Sequence, residues 1–333
     1  MTCRLLIFII VFFISIIPSS FAQSPIVWQN VQAIPSPPET STWLPNLTVD
    51  RNGQVHVVWV ETDYEDEFNE TPHLLLYSMW NGKQWTMPIE LVTARANIIR
   101  TSFMTDARNH LHLTLNDTSF GGTQLFYRTV LADEAWSAGN WSDDVLVNSR
   151  NGTYLSDLTI HNNMIHLVYE DLGVDEVGKE CDHCADIFYR WSDDEGQSWS
   201  APVDIYPQPT SSTRVKMYID KAGIIHLVWD QGWDGLSGFG KSEYGIYLAS
   251  HDNGQTWIPP LEVWYPDRTN AQTTMATNGE GGILLVWRTQ SELYTNVYYM
   301  WSHDNGISWM PPQYSFGVDR LLGYCTRRLN HPA

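Results

Sequence analysis

Positive charge is scarce in this chain. Its 333 residues hold 19 lysines and arginines against 38 aspartates and glutamates. A surface so acidic repels nucleic acid and anionic lipid, so neither is an expected partner. Cysteine is scarce too: of four in all, only Cys181, Cys184 and Cys325 lie beyond the first 22 residues. Cys181-Asp-His-Cys184 reads as a local disulfide clip in a loop. Zinc would need a second ligand pair that the sequence does not supply, so no metal or other cofactor is expected. Long apolar runs are absent except at the start, where MTCRLLIFIIVFFISIIPSSFAQ carries Arg4, an apolar stretch to Ile17 and small residues before Gln23. That pattern is a secretory signal peptide with cleavage after Ala22. It predicts a secreted, periplasmic or cell-surface protein with no membrane attachment after cleavage. Five N-x-[ST] sequons, at Asn46, Asn69, Asn116, Asn140 and Asn151, matter only in a host that glycosylates.

What is present is repetition. Ser192-Asp-Asp-Glu-Gly-Gln-Ser-Trp199, Ser250-His-Asp-Asn-Gly-Gln-Thr-Trp257 and Ser302-His-Asp-Asn-Gly-Ile-Ser-Trp309 are three copies of Ser-x-Asp-x-Gly-x-Ser/Thr-Trp. Asp and Ser/Thr side chains bond backbone amides within a turn, and Gly supplies a positive φ. The Trp anchors the turn by burying its ring. The structural set is therefore Ser192, Asp194, Gly196 and Trp199, then Ser250, Asp252, Gly254 and Trp257, then Ser302, Asp304, Gly306 and Trp309.

A second phrase recurs upstream of each box. A turn-forming Asp/Asn/Gly cluster precedes an alternating segment ending near Trp59, Leu115, Tyr169, Trp229 and Trp287. His56, His112, His166 and His226 share one position in it, which points to a structural role between sheets. Third strands are expected over 74–79, 124–129, 186–191, 244–249 and 297–301. Fourth strands are expected to begin at Trp85, Trp141, Trp199, Trp257 and Trp309. Five units of four short antiparallel strands describe blades of an all-β propeller. The segment 27–35 matches only a fourth strand, which leaves a five-bladed ring with a spare strand or, the favoured reading, a six-bladed ring whose last blade is incomplete. An open ring leaves an exposed apolar flank. The expected division is 1–22 signal peptide, 23–317 propeller and 318–333 an atypical tail.

The octapeptides resemble the Asp-boxes (BNR repeats) of the sialidase-type β-propeller superfamily, a resemblance covering residues 27 to 317. It implies that the boxes sit in turns on the face away from the ligand. The family includes sialidases, other glycosidases, assembly factors and receptors, so it implies a fold rather than an activity. The Arg-Ile-Pro motif of sialidases is absent, since Ala33-Ile34-Pro35 lacks the arginine.

The opposite face is formed by the crossovers between blades and the loops joining second and third strands. Arginine concentrates there, at Arg95, Arg100, Arg150, Arg214, Arg268 and Arg320. Arg100, Arg150, Arg214 and Arg268 are the candidate ligand contacts, suited to a carboxylate or sulfate; the alternative is salt bridging to neighbouring acids. Glu61, Asp63, Glu170, Asp171, Asp230 and Asp234 reach the same face. Asp63, Asp171 and Asp230, with Tyr154 and Tyr218 placed near the starts of inner strands, are the candidate catalytic groups, because glycoside hydrolysis uses paired carboxylates or a Tyr nucleophile. Trp43, Trp233 and Trp264, with Tyr64 and Tyr265 nearby, are candidate sugar-stacking rings. The expected function is binding of a glycan or another extracellular ligand on this face. An exo-acting glycoside hydrolase of sialidase type is the second reading, and a protein–protein interaction platform the third.

Overall fold

The computed structural model describes residues 33–36, 40–63, 72–119, 122–148, 152–172, 184–232, 242–263, 269–290 and 295–314. Among the described residues, twenty strands form five antiparallel four-stranded sheets. The first contains β1 (Thr40–Val49), β2 (Val55–Asp63), β3 (His73–Trp80) and β4 (Ile89–Ala94). The second contains β5 (Ile98–Thr105), β6 (His110–Asp117), β7 (Gln124–Leu131) and β8 (Val145–Asn148). The third contains β9 (Ser156–His161), β10 (Met164–Asp171), β11 (Asp186–Ser192) and β12 (Val203–Asp204). The fourth contains β13 (Ser211–Ile219), β14 (Ile225–Gly232), β15 (Ser242–Ser250) and β16 (Leu261–Val263). The fifth contains β17 (Thr269–Thr277), β18 (Ile283–Gln290), β19 (Thr295–Ser302) and β20 (Gln313–Tyr314). Strand order follows chain order in every sheet, as expected for repeated hairpins. Among the described residues the only helical pieces are two short 3-10 turns, Ala132–Glu134 and Ala138–Asn140.

Each sheet packs on the next through its first strand. Polar pairs tie these inner strands together. Asn46 Nδ2 donates to Thr101 O at 3.0 Å, Ser102 Oγ donates to Asp157 Oδ1 at 3.1 Å, and Met217 N donates to Asp157 Oδ2 at 3.0 Å.

The fourth strands differ from expectation. All five start four residues after the box Trp, at Ile89, Val145, Val203, Leu261 and Gln313, not at the Trp itself. Two physical causes account for this. Pro88, Pro202, Pro260 and Pro312 stand immediately before four of the five starts, and proline cannot donate to a ladder. The Trp rings are also engaged elsewhere, edge-on against a tyrosine of the preceding sheet: Tyr77–Trp141, Tyr127–Trp199, Tyr189–Trp257 and Tyr247–Trp309, with centroids 4.9–5.8 Å apart.

The boxes are closed turns. In each, the Asp accepts from the first Ser at 2.8 Å and from the backbone N–H of the Ser/Thr four residues on at 2.8–2.9 Å. Those bonds, led by the hydroxyls of Ser198, Thr256 and Ser308, hold the three carboxyls down at about 2.

The repeated histidines join these features. His56, His112, His166 and His226 place Nδ1 2.6–2.8 Å from the hydroxyls of Tyr77, Tyr127, Tyr189 and Tyr247. Three of those hydroxyls reach on to a box carbonyl of the following sheet, at Glu195, Asn253 and Asn305. All four histidines are buried, and burial lowers the pKa of each. A buried His–Tyr pair thus docks each sheet onto the next.

One flank lacks this cover. Phe103, Leu158, Met217 and Met275 hold one register position on successive first strands and are 7%, 4%, 4% and 3% exposed. Leu47 holds that position in β1 and is 66% exposed, with Val49 at 53%. At the other end of the array, Leu284, Val286 and Arg288 are half-buried, whereas His226, Val228 and Asp230 at the matching positions are fully buried.

Candidate functional site

In this topology the box turns and the β1–β2-type hairpins lie at one end of the strands. The crossovers and second-to-third loops lie at the other. At that second end the starts of β5 and β13, the crossover before β9 and the ends of β10 and β14 bring five predicted residues together.

Arg100, near the start of β5, stacks over the Tyr154 ring with its guanidinium carbon 5.2 Å from the centroid. Its Nη1 donates to Ile99 O at 2.6 Å, and it makes no salt bridge among the described residues, although its charge acts on the Glu170 carboxyl. Tyr154 is positioned by the backbone: its N–H donates to Glu170 O at 3.3 Å, and Glu170 N–H donates back to Leu155 O at 2.9 Å. Glu170 itself is fully buried near the end of β10. Its Oε1 accepts from the backbone N–H of Arg214, while Oε2 has no hydrogen-bond partner among the described residues. Burial pushes this carboxyl up to about 8, against the opposing pull of the Arg214 amide and of the Arg214 and Arg100 charges.

Arg214 sits in a bulge of β13 with φ of 62°, a left-handed conformation that costs a non-glycine residue about 1–2 kcal/mol. Its Nη1 donates to Asp230 Oδ2 at 3.2 Å and to Ser242 Oγ at 3.3 Å. Asp230, fully buried, also accepts Gln272 N–H at 2.7 Å and Thr273 N–H at 2.9 Å from the next sheet. Burial raises its pKa, with those amides and Arg214 opposing. Glu170 and Asp230 therefore do the same job in successive sheets, capping the bulged backbone of the sheet that follows. For Arg214 the structure provides the local bridge; for Arg100 it does not.

The other predicted residues are placed as follows. Asp171 is buried and accepts from Asn148 Nδ2 and from Thr153 Oγ1, locking the crossover before β9. Tyr218 is not at the start of its strand. It is the penultimate residue of β13, opposite His226, at the box end and away from Glu170. Trp43 packs edge-on against His73 with centroids 5.4 Å apart and joins the core of the first two sheets. Glu61 is buried and accepts from Ser36 Oγ at 2.7 Å. Arg95 is exposed, with its backbone N–H bonded to Ser119 Oγ. Asp63 ends β2, where only its backbone is described. Arg150, Arg268, Arg320, Trp233, Trp264, Tyr64, Tyr265 and Asp234 lie outside the described residues, as do Cys181 and Cys325; Cys184 is disulfide-bonded. Among the described residues no group of three or more His, Cys, Asp or Glu could hold a metal ion.

Gln272 was not legible in the sequence. It shares the bulge position with Arg214 and with Leu44, at φ of 58°, 62° and 52°. The three residue types have nothing in common, so only register counted from the repeated histidine position could have aligned them.

No known family's sequence profile matches this chain, and no curated protein matches it. Solved structures do. A protein of unknown function from Dyadobacter fermentans superposes with a TM-score of 0.56 at 12% identity, over 79% of each chain. An ulvan lyase of polysaccharide lyase family 25, bound to a glucuronic acid–sulfated rhamnose ligand, gives 0.55 at 11% identity over 82% of this chain and 69% of its own. A Hadza microbial sialidase gives 0.50 at 13% identity over 74% of this chain and 50% of its own. At these identities the likeness is one of fold: an all-β array of four-stranded antiparallel sheets of the propeller-like kind.

Proposed function

We propose that this chain is an exported propeller protein that binds an acidic glycan on its crossover face, at Arg100, Tyr154 and Arg214. The observation that carries the reading is Arg100: a guanidinium laid on an aromatic ring with no salt bridge among the described residues, in a chain with twice as many acids as bases. A cation so presented suits a carboxylate or sulfate, and the adjoining Tyr154 ring suits the apolar face of a sugar. The fold shared with an ulvan lyase and a sialidase supports a carbohydrate ligand. The N-terminal 22 residues support export. The exposed Leu47 and Val49 and the half-buried Leu284 and Val286 support a six-bladed ring type, with a further blade between the first and fifth sheets.

A second reading rests on Glu170. A buried carboxyl raised to about 8 beside Tyr154 is suited to carrying a proton at neutral pH, which favours an exo-acting glycoside hydrolase of sialidase type. A protein-assembly platform is the third reading, and it has no residue-level observation of its own.

A glycan array with a parallel fluorogenic sialoside assay separates the three. Binding of uronate-bearing, sulfated or sialylated probes without turnover, lost in Arg100→Ala, supports the first reading. Turnover supports the second. Silence in both assays removes both.

A further inference from the structure

Of the three residues that share the left-handed bulge position, Gln272 is the exposed one, Leu44 and Arg214 being partly buried. Gln272 holds this left-handed backbone at φ of 58°, where glycine would be free of strain and glutamine is not. Such outliers persist only where surrounding structure imposes them. The imposing group here is Asp230. One oxygen of its buried carboxyl accepts both Arg214 Nη1 at 3.2 Å and Gln272 N–H at 2.7 Å, and the other accepts Thr273 N–H at 2.9 Å. The Arg214 head group and the Gln272 backbone are therefore fixed around a single oxygen atom. A Gln side chain reaches about 5 Å from its backbone, judged from bond lengths near 1.5 Å. That length is enough for its carboxamide to meet a ligand resting on Arg214. No side-chain partner holds that carboxamide among the described residues. It offers two donors and one acceptor and carries no charge. Gly245 completes the arrangement, because a Cβ there would come within 2.5 Å of Thr273 Oγ1 and push the Asp230-capped bulge aside.

We propose that Gln272 is a specificity-determining ligand contact. It reads a hydroxyl or N-acyl group of the same sugar whose acidic group is held by Arg100 and Arg214. The ligand class is then an acidic sugar with a neutral hydrogen-bonding substituent beside the acid, rather than any polyanion. The inference rests on the acidic-glycan reading and goes beyond it by excluding charge alone as the basis of recognition.

The test uses the full chain and two probes, an acidic oligosaccharide selected on the array and inorganic sulfate as a competitor. Gln272→Ala is expected to weaken the oligosaccharide about tenfold, the loss of one neutral hydrogen bond, while the inhibition constant of sulfate is unchanged. Arg100→Ala is expected to weaken both. If Gln272→Ala binds the oligosaccharide as the parent does, the inference is overturned and the acidic-glycan reading stands. If the parent binds no acidic oligosaccharide, both fall together. Gln272→Gly provides a control on the fold. Removal of the left-handed strain is expected to leave the melting temperature unchanged or raised. A drop of several degrees would show that the side chain serves stability and would overturn a role in recognition.

Discussion

Tyr189 of the third sheet occupies the space that a Cβ on Gly254 of the next sheet's box would need. Ring atom Cε1 lies 2.4 Å from that position, and the backbone there has φ of 79°. Gly254→Ala therefore meets two costs together, left-handed strain of about 1–2 kcal/mol and overpacking of about 1–3 kcal/mol. Gly53 has nearly the same φ, 78°, but nothing within 4 Å of its would-be Cβ. Gly53→Ala should lose only the strain. Urea denaturation of the two variants checks this: the Gly254 variant should lose about 2 kcal/mol more than the Gly53 variant, and equal losses would show that the Tyr189 ring moves aside freely.

The contrast also shows what a sequence can carry. The box Gly was legible as a turn residue, because its positive φ is a local requirement. Its second role, making room for a tyrosine 65 positions upstream, was not, since nothing local marks the contact. The same division holds across the fold. Four strands per unit and the turn at each box follow from alternation and turn chemistry. The start of each fourth strand was misplaced because the Trp, a strong strand former, is used across the sheet interface instead. At the candidate site, Arg100 and Arg214 were visible as rare cations on one face. The bulges that hold Arg214 and Gln272 were not visible, because each is capped by a carboxylate of the preceding sheet, Glu170 and Asp230.

His166 differs from its three counterparts in having no acidic residue at the hairpin position that Asp50, Asp106 and Asp220 occupy beside His56, His112 and His226. Burial lowers its pKa to about 4, with His161 adding to the shift. The unfolded chain binds the proton near 6.5 and the folded one does not until about 4. Stability is therefore full above 6.5 and falls as pH drops through that window. The contribution is roughly 3 kcal/mol by linkage. His166→Gln should flatten the stability profile between pH 6.5 and 4 relative to the parent. An unchanged slope would mean that His166 is protonated within the fold.

Leu47 and Met217 hold the same register position, the first exposed and the second buried. Met217→Ala should cost about 2–5 kcal/mol, as for other large-to-small core changes. Leu47→Ser should stay within about 0.5 kcal/mol, as surface changes do, and should reduce concentration-dependent association. Light scattering and denaturation measured together decide the point. A loss of several kcal/mol in Leu47→Ser would show that the first sheet's flank is covered in solution.

Glu170 gives the opposite pH signature. Its carboxyl is raised from 4.5 to about 8 by burial, so the folded chain holds a proton that the unfolded chain has already released across that range. The slope of stability with pH is set by the difference in bound protons, so here it is negative. The fold weakens between pH 4.5 and 8 and is constant with respect to this group above 8. Gln preserves an oxygen to accept the Arg214 amide and cannot ionise. Glu170→Gln should therefore gain on the parent progressively from pH 5 to 8, reaching on the order of a few kcal/mol, with no further divergence above pH 8. Paired denaturation curves at half-unit intervals measure this directly. Parallel curves across the whole range would mean that Arg100 and Arg214 keep the carboxylate ionised, and the case for Glu170 as a proton-carrying group on this face would be lost.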